Sequence, residues 1–191
     1  IIFSSSSYGG TSIMAITRLI APSITGLTIP NTSINNASLN SVTALPSGID
    51  TGKVLQVQHG TLGTQNSIST TSATASGLTV SITPTSSSNK ILVMGNLAGC
   101  RMYANTYMSV WLYRQINGGG YSSIRKFENG FGYLQGETET LSKSFYYQDT
   151  PSSTNQVDYQ IYFSYNGSGD SVAINIDSQE WSTITAMEIA N

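Results

Sequence analysis

The chain has 191 residues, 8 basic and 10 acidic side chains, one histidine and a net charge of −2. Only 9% of its residues are charged, against about 25% in ordinary soluble domains; 30 serines, 22 threonines and 14 asparagines supply the polar surface instead. This balance offers no basic footprint for nucleic acid and no run of the ~18 apolar residues that membrane insertion needs, while 39% hydrophobic residues are too many for simple disorder.

Residues 1–52 carry only two charged side chains, Arg18 and Asp50. Within them Leu19, Ile24, Ile29, Ile34 and Leu39 fall five residues apart. Neither the helical period of 3.6 nor the strand period of 2 produces that spacing. Pro22, Pro30 and Pro46, with Gly26 and Gly48, also argue against a helix. The pattern predicts an extended, period-5 N-terminal stem or anchor. One arrangement is a short solenoid, in which Ala37-Ser38-Leu39-Asn40-Ser41 resembles one pentapeptide unit. Another is a shared axis among three copies, since so few large side chains bury too little within one chain to offset ordering entropy. A Ser/Thr-rich linker with accidental spacing is the third. Met14-Ala15-Ile16-Thr17 reads like a natural protein start, which would make residues 1–13 a leader or a trimming remnant.

From Lys53 onward the pattern changes to short strands separated by turn residues. Leu78-Thr79-Val80-Ser81-Ile82 alternates apolar and hydroxyl side chains and stops at Thr83-Pro84. Lys90-Ile91-Leu92-Val93-Met94 is nearly continuous in apolar character, as in a strand covered on both faces. Met108–Tyr113 leads through Asn117-Gly118-Gly119-Gly120 into Tyr121–Phe127, a hairpin signal. Further strands are predicted over Val54–Gln58, Leu141–Tyr147, Val157–Tyr165, Ser171–Ile176 and Ser182–Ile189. Turns are expected at Asn129-Gly130, Asp149-Thr150-Pro151 and Asn166-Gly167-Ser168-Gly169. Short strands at this spacing, with no helical pattern between them, predict an all-β fold: an antiparallel jelly-roll sandwich over residues 53–191.

Catalytic and metal chemistry find little to work with. Cys100 has no partner for a disulfide, follows Leu97-Ala98-Gly99 and is expected to be a small buried hydrophobe. A Cys–His nucleophile would need His59 beside it with an orienting group, and one Cys plus one His falls short of a zinc set. Glu128, Glu137 and Glu139 could imitate a glycosidase carboxylate pair, but their Gly and Asn neighbours predict a solvated loop. Asp149, Asp158, Asp170 and Asp177 lack calcium-loop spacing. No cofactor and no enzymatic activity are expected. The aromatic residues after position 100 fit core or subunit packing, or a sugar-stacking platform.

The order of three motifs is more informative: Gly52-Lys53-Val54-Leu55-Gln56-Val57, Gly77–Pro84, and Ser88-Asn89-Lys90-Ile91-Leu92-Val93. With Val110–Arg114, Tyr147–Pro151, Tyr159–Phe163 and the closing Ser182–Ala190, it resembles a family of structural proteins of marine and cyanobacterial phages. The resemblance covers residues 52–191. It implies a virion appendage, a tail or head fibre on the particle exterior, with a trimeric head of the C1q and tumour-necrosis-factor type. Residues 1–52 would then be a stem contacting other virion proteins, with Leu19, Ile24, Ile29, Ile34 and Leu39 buried in a homotrimer. Arg101–Tyr107 and Asn129–Glu139 match nothing in that family. They place Tyr103, Tyr107, Phe131 and Tyr133 in a candidate receptor-facing loop for a host glycan or protein. A lectin-like module, a surface-polysaccharide hydrolase and a cellular adhesin subunit are the alternatives.

Overall fold

The computed structural model describes residues 53–191 apart from 134, 169 and 178. The predicted stem, with its row Leu19, Ile24, Ile29, Ile34 and Leu39, lies outside the described residues. Ten strands follow one another: β1 Val54–Leu62, β2 Asn66–Ile68, β3 Thr74–Ile82, β4 Lys90–Met102, β5 Thr106–Ile116, β6 Ser122–Phe131, β7 Glu139–Asp149, β8 Val157–Gly167, β9 Val172–Ile174 and β10 Ser182–Ile189. No helix occurs among the described residues.

The strands make two sheets with antiparallel pairing throughout. Sheet I has the order β1-β10-β4, with β7 on the other flank of β4 and the short β9 and β2 continuing past its end; sheet II is β3-β8-β5-β6. The chain passes between sheets repeatedly, and β3 of sheet II packs against β1 and β10 of sheet I. This is the strand order of a jelly roll, in which most strands pair with partners distant in sequence.

Alternation decides which side chains enter the core. Leu78, Val80 and Ile82 of β3 meet Ile91 and Val93 of β4, Val110 and Leu112 of β5, Val157, Ile161 and Phe163 of β8, and Ile184 and Ala186 of β10 in one cluster. Two close approaches require glycine, one between the layers at Gly60 and one between neighbouring strands of sheet I at Gly95. A Cβ on Gly60 would lie 1.9 Å from the carbonyl oxygen of Thr79, and one on Gly95 2.1 Å from that of Thr183. Both distances are far inside van der Waals contact.

Three expectations need correction. β4 is covered on one face only: Ile91 and Val93 are buried, while Leu92 and Met94 alternate with them half-buried on the outer surface. Asn129-Gly130 does not turn the chain. It lies inside β6 as an irregularity, because Ser109 pairs with Asn129 while Met108 pairs with Phe131, leaving Gly130 as the extra residue at φ +112°. The same tolerance of positive φ that makes Asn-Gly a turn signal makes it a bulge here. The short β2 has no counterpart among the expected strands, since Asn66-Ser67-Ile68 carries one large apolar residue.

Every long strand runs between the same two poles. Lys53, Ile82, Lys90, Ile116, Asp149, Val157 and Ile189 lie at one, the base, where Ala190 donates its N–H to the carbonyl of Lys53 at 3.0 Å. Met102, Thr106, Phe131, Glu139 and Gly167 lie at the other, the apex.

Candidate functional site

The base holds two buried polar networks. Glu188 is fully buried, and its Oε1 accepts hydrogen bonds from the N–H (2.7 Å) and hydroxyl (2.8 Å) of Thr85 and from the Asn89 amide (2.7 Å). The Gln56 amide donates to Oε2 at 2.6 Å. Burial alone would raise the carboxyl's pKa, but these donors outweigh it and hold the group down at about 2. Nearby, Arg114 meets both Asp149 oxygens at 2.9 Å, and Asp149 also accepts from the Tyr159 hydroxyl at 2.8 Å. Burial first, then the Asp149 charge, drives the Tyr159 phenol well above its ordinary value. Both networks are satisfied ties that lock strand ends together, with no open space for a substrate. Among the described residues, no buried side-chain polar atom lacks a partner.

The candidate chemical groups are kept apart. Cys100 is fully buried, and burial, reinforced by the Glu180 charge, pushes its thiol up to about 12. A thiol so protonated is a poor nucleophile. His59 lies on the outer surface of β1, with Nδ1 3.0 Å from the Thr185 hydroxyl. Glu128 pairs with Lys143 at 2.8 Å, which lowers its pKa, whereas Glu137 is exposed in the loop before β7. Among the described residues, no group of three or more His, Cys, Asp or Glu side chains could hold a metal ion. The side-chain amide of Asn166 is turned inward, donating to the hydroxyls of Ser109 at 3.1 Å and Ser164 at 3.2 Å.

Two surfaces stand out instead. The first is the outer face of sheet I. Register places Val57, Met187, Leu92 and Gln148 in one row across β1, β10, β4 and β7, and His59, Thr185, Met94 and Tyr146 in the next. Val54 pairs with Ile189 at the edge. Val57 is 52% exposed and Tyr146 79% exposed. On these strands the basic side chains of this face are Lys90 near the base, His59, and Arg101 towards the apex, where it donates to the Thr140 hydroxyl.

The second is a shallow open pocket of about 620 Å³ at the apex. Tyr107 and Tyr133 form its aromatic part, their rings edge-to-face at 6.2 Å and 69°. Asn105, Asn129 and Ser168 contribute polar groups, and Gly130 and Gly167 bring the backbone close. The β6 bulge shapes the floor: a Cβ on Gly130 would lie 2.5 Å from the Tyr107 ring, so the ring rests on bare backbone. Asn105, at φ +61°, ties three loops together. Its carbonyl accepts from Ser168 N–H at 3.1 Å, and its Oδ1 from Gly136 N–H at 3.0 Å.

The four candidate receptor-facing residues divide. Tyr107 and Tyr133 line the pocket. Phe131 instead packs against the core, with Lys143 Nζ 5.5 Å from its ring, and Tyr103 is half-buried beside the pocket rather than in it. Strand alternation alone would put Phe131 and Tyr133 on one face, but β6 ends at Phe131 and Gly132 at φ +75° redirects the chain, so Tyr133 leaves that face. The Asn105, Asn129 and Ser168 contributions were not anticipated, since amide and hydroxyl residues are everywhere in this sequence.

No family model and no curated protein matches the chain. Among solved structures, it is similar to Eiger TNF from S. frugiperda, at 10% identity and a TM-score of 0.43, over 73% of this chain and 95% of that one. It is also similar to the structure of infectious bursal disease virus Gt strain, at 18% identity and a TM-score of 0.38, over 70% of this chain but only 33% of that one.

Proposed function

We propose that the chain is a non-enzymatic structural component of a phage virion appendage, a fibre head that assembles as a homotrimer on the particle exterior. The observation that carries the assembly part is the outer face of sheet I, an apolar, nearly uncharged surface spanning four strands. Surfaces of this kind are covered by a partner when they persist in folded proteins. The occupant we assign is a second and third copy of the same chain. Like meets like with little repulsion where the two central rows carry no charged side chain apart from His59, with Lys90 and Arg101 lying towards either end of the face. The trimer number and the virion location rest on the sequence resemblance of residues 52–191. In this reading the row Leu19, Ile24, Ile29, Ile34 and Leu39 continues the shared axis, residues 1–52 contact other virion proteins, and the apex faces the host surface.

Sedimentation equilibrium of the full chain tests the assembly. The expected mass is three times 20.4 kDa. A monomer at micromolar concentration overturns it. Mass spectrometry of purified phage particles tests the location, with a tryptic peptide from residues 53–191 as the expected finding and its absence from particles encoding the chain as the overturning one.

A further inference from the structure

We infer that the apex pocket between Tyr107 and Tyr133 binds a neutral sugar residue of a surface glycan. This deepens the attachment part of the proposed function and rests on it.

The chemistry of the lining selects the ligand class. A hexose offers an apolar C–H face to an aromatic ring and a rim of hydroxyls that both donate and accept hydrogen bonds. The pocket offers two tyrosine rings set nearly at right angles, with Tyr133 54% exposed, beside the amides of Asn105 and Asn129. The oxygen of each amide is already engaged: that of Asn105 accepts from Gly136 N–H, and that of Asn129 from Lys126 Nζ. Each amide is thereby oriented. Among the described residues neither amide nitrogen meets an acceptor, and neither Tyr107 nor Tyr133 uses its hydroxyl, so fixed donors are left for a ligand. No charged side chain lines the pocket, and the Lys126 ammonium beside it is already held by Asn129 Oδ1 and the Trp111 ring, which favours a neutral sugar over an acidic one. Its volume falls within the ~300–1,000 Å³ of small-molecule sites.

Position supports the same conclusion. The chain enters the sandwich at Lys53 on the base, and the pocket opens at the opposite pole. The aromatic group on sheet II is a poorer candidate, because Tyr113 and Tyr162 stack on each other at 3.9 Å and thereby cover one another's faces.

The test is saturation-transfer-difference NMR on the full chain. The probes are the methyl glycosides of glucose, galactose, mannose and N-acetylglucosamine, with glucuronate as the acidic control. At least one neutral glycoside should receive saturation and glucuronate should not. Tyr133→Ala and Asn129→Ala should each weaken that signal at least tenfold with unchanged thermal melting, whereas Tyr162→Ala should leave it intact. Silence from all four glycosides, or binding that survives both pocket variants, overturns the inference. Adsorption of labelled chain to a panel of bacterial cells separates this failure from that of the attachment reading. Binding abolished by periodate supports the sugar. Binding that resists periodate but is lost to protease overturns the sugar and leaves attachment standing. Absence of adsorption to any cell removes attachment itself.

Discussion

The two outer faces of the sandwich are built by the same rule and end up with opposite characters. On each sheet, alternation sends one set of side chains inward and leaves the other set free to vary. Sheet II uses that freedom on self-contained contacts. Tyr113 stacks on Tyr162, Tyr121 leans against the same ring at 6.1 Å, and Lys126 sits 4.6 Å over Trp111. Gln156 donates to Asp158 at 2.8 Å on the same surface. Sheet I leaves Val57, Leu92, Met94, Tyr146 and Met187 in a field of threonine and asparagine, with an open edge along β1. A face that satisfies itself needs no partner; an exposed apolar one is the kind of surface that a partner covers. The proposed assembly would use the sheet I side, and the contrast between the two faces is what its tests exploit.

The largest expected effect tests that difference directly. Met187→Asp puts a charge in the middle of the sheet I face and should reduce the assembly to monomers by sedimentation velocity, because an unpaired charge is costly to bury. Tyr162→Asp on sheet II should leave the sedimentation coefficient unchanged. Equal behaviour of the two variants would erase the distinction between the faces.

The next effect is on stability and separates the base from both faces. Glu188 is held at about 2 in the folded protein, against an ordinary carboxyl near 4.3 when unfolded. Its folded pKa is depressed, so its stabilisation is present above the unfolded value and disappears as pH falls from about 4.5 towards 2. That window should show a loss of roughly 3 kcal/mol in chemical denaturation. Glu188→Gln should be less stable at pH 7 and flatter across the same range. An unchanged acid profile in that variant would assign acid sensitivity to other carboxylates.

A smaller effect is expected for Tyr113→Ala. It removes the stacked pair on sheet II and should cost about 1 kcal/mol beyond lost burial, read as a lower melting temperature with assembly intact. The smallest is chemical. Cys100, with its thiol pushed up to about 12, should resist thiol reagents at pH 8 in the native state and react only after unfolding.

Most of the strand framework was legible in the sequence because alternation is strict where one face is buried. Leu78–Ile82 shows it residue by residue, whereas Ser182–Ile189 shows it only over Thr183–Ala186, because Met187 and Ile189 face outward and Glu188 is buried. The sheet I face was not legible for the same reason: Ile91-Leu92-Val93-Met94 reads identically whether its second apolar row is covered by another layer of the chain, by a partner, or by nothing. Of the apex pocket, the aromatic half was visible as Tyr107 and Tyr133 in unusual loops. Its polar half was not, because Asn105 and Asn129 differ from twelve other asparagines only by where β5, β6 and β8 bring them. Asn129-Gly130 shows the limit most clearly. Local chemistry announces positive φ, and only pairing with Ser109 decides between a turn and a bulge.

The separation of the poles has a consequence for how such a chain can change. The segments at the apex, between β4 and β5, between β6 and β7 and after β8, leave the sandwich far from Lys53 and from the ionic ties at the base. They can lengthen, shorten or be exchanged wholesale while the anchoring pole keeps its Arg114–Asp149 and Glu188 contacts. A peptide inserted beside Gly136, where an added Cβ meets open space, would be carried at the apex and leave the base contacts untouched.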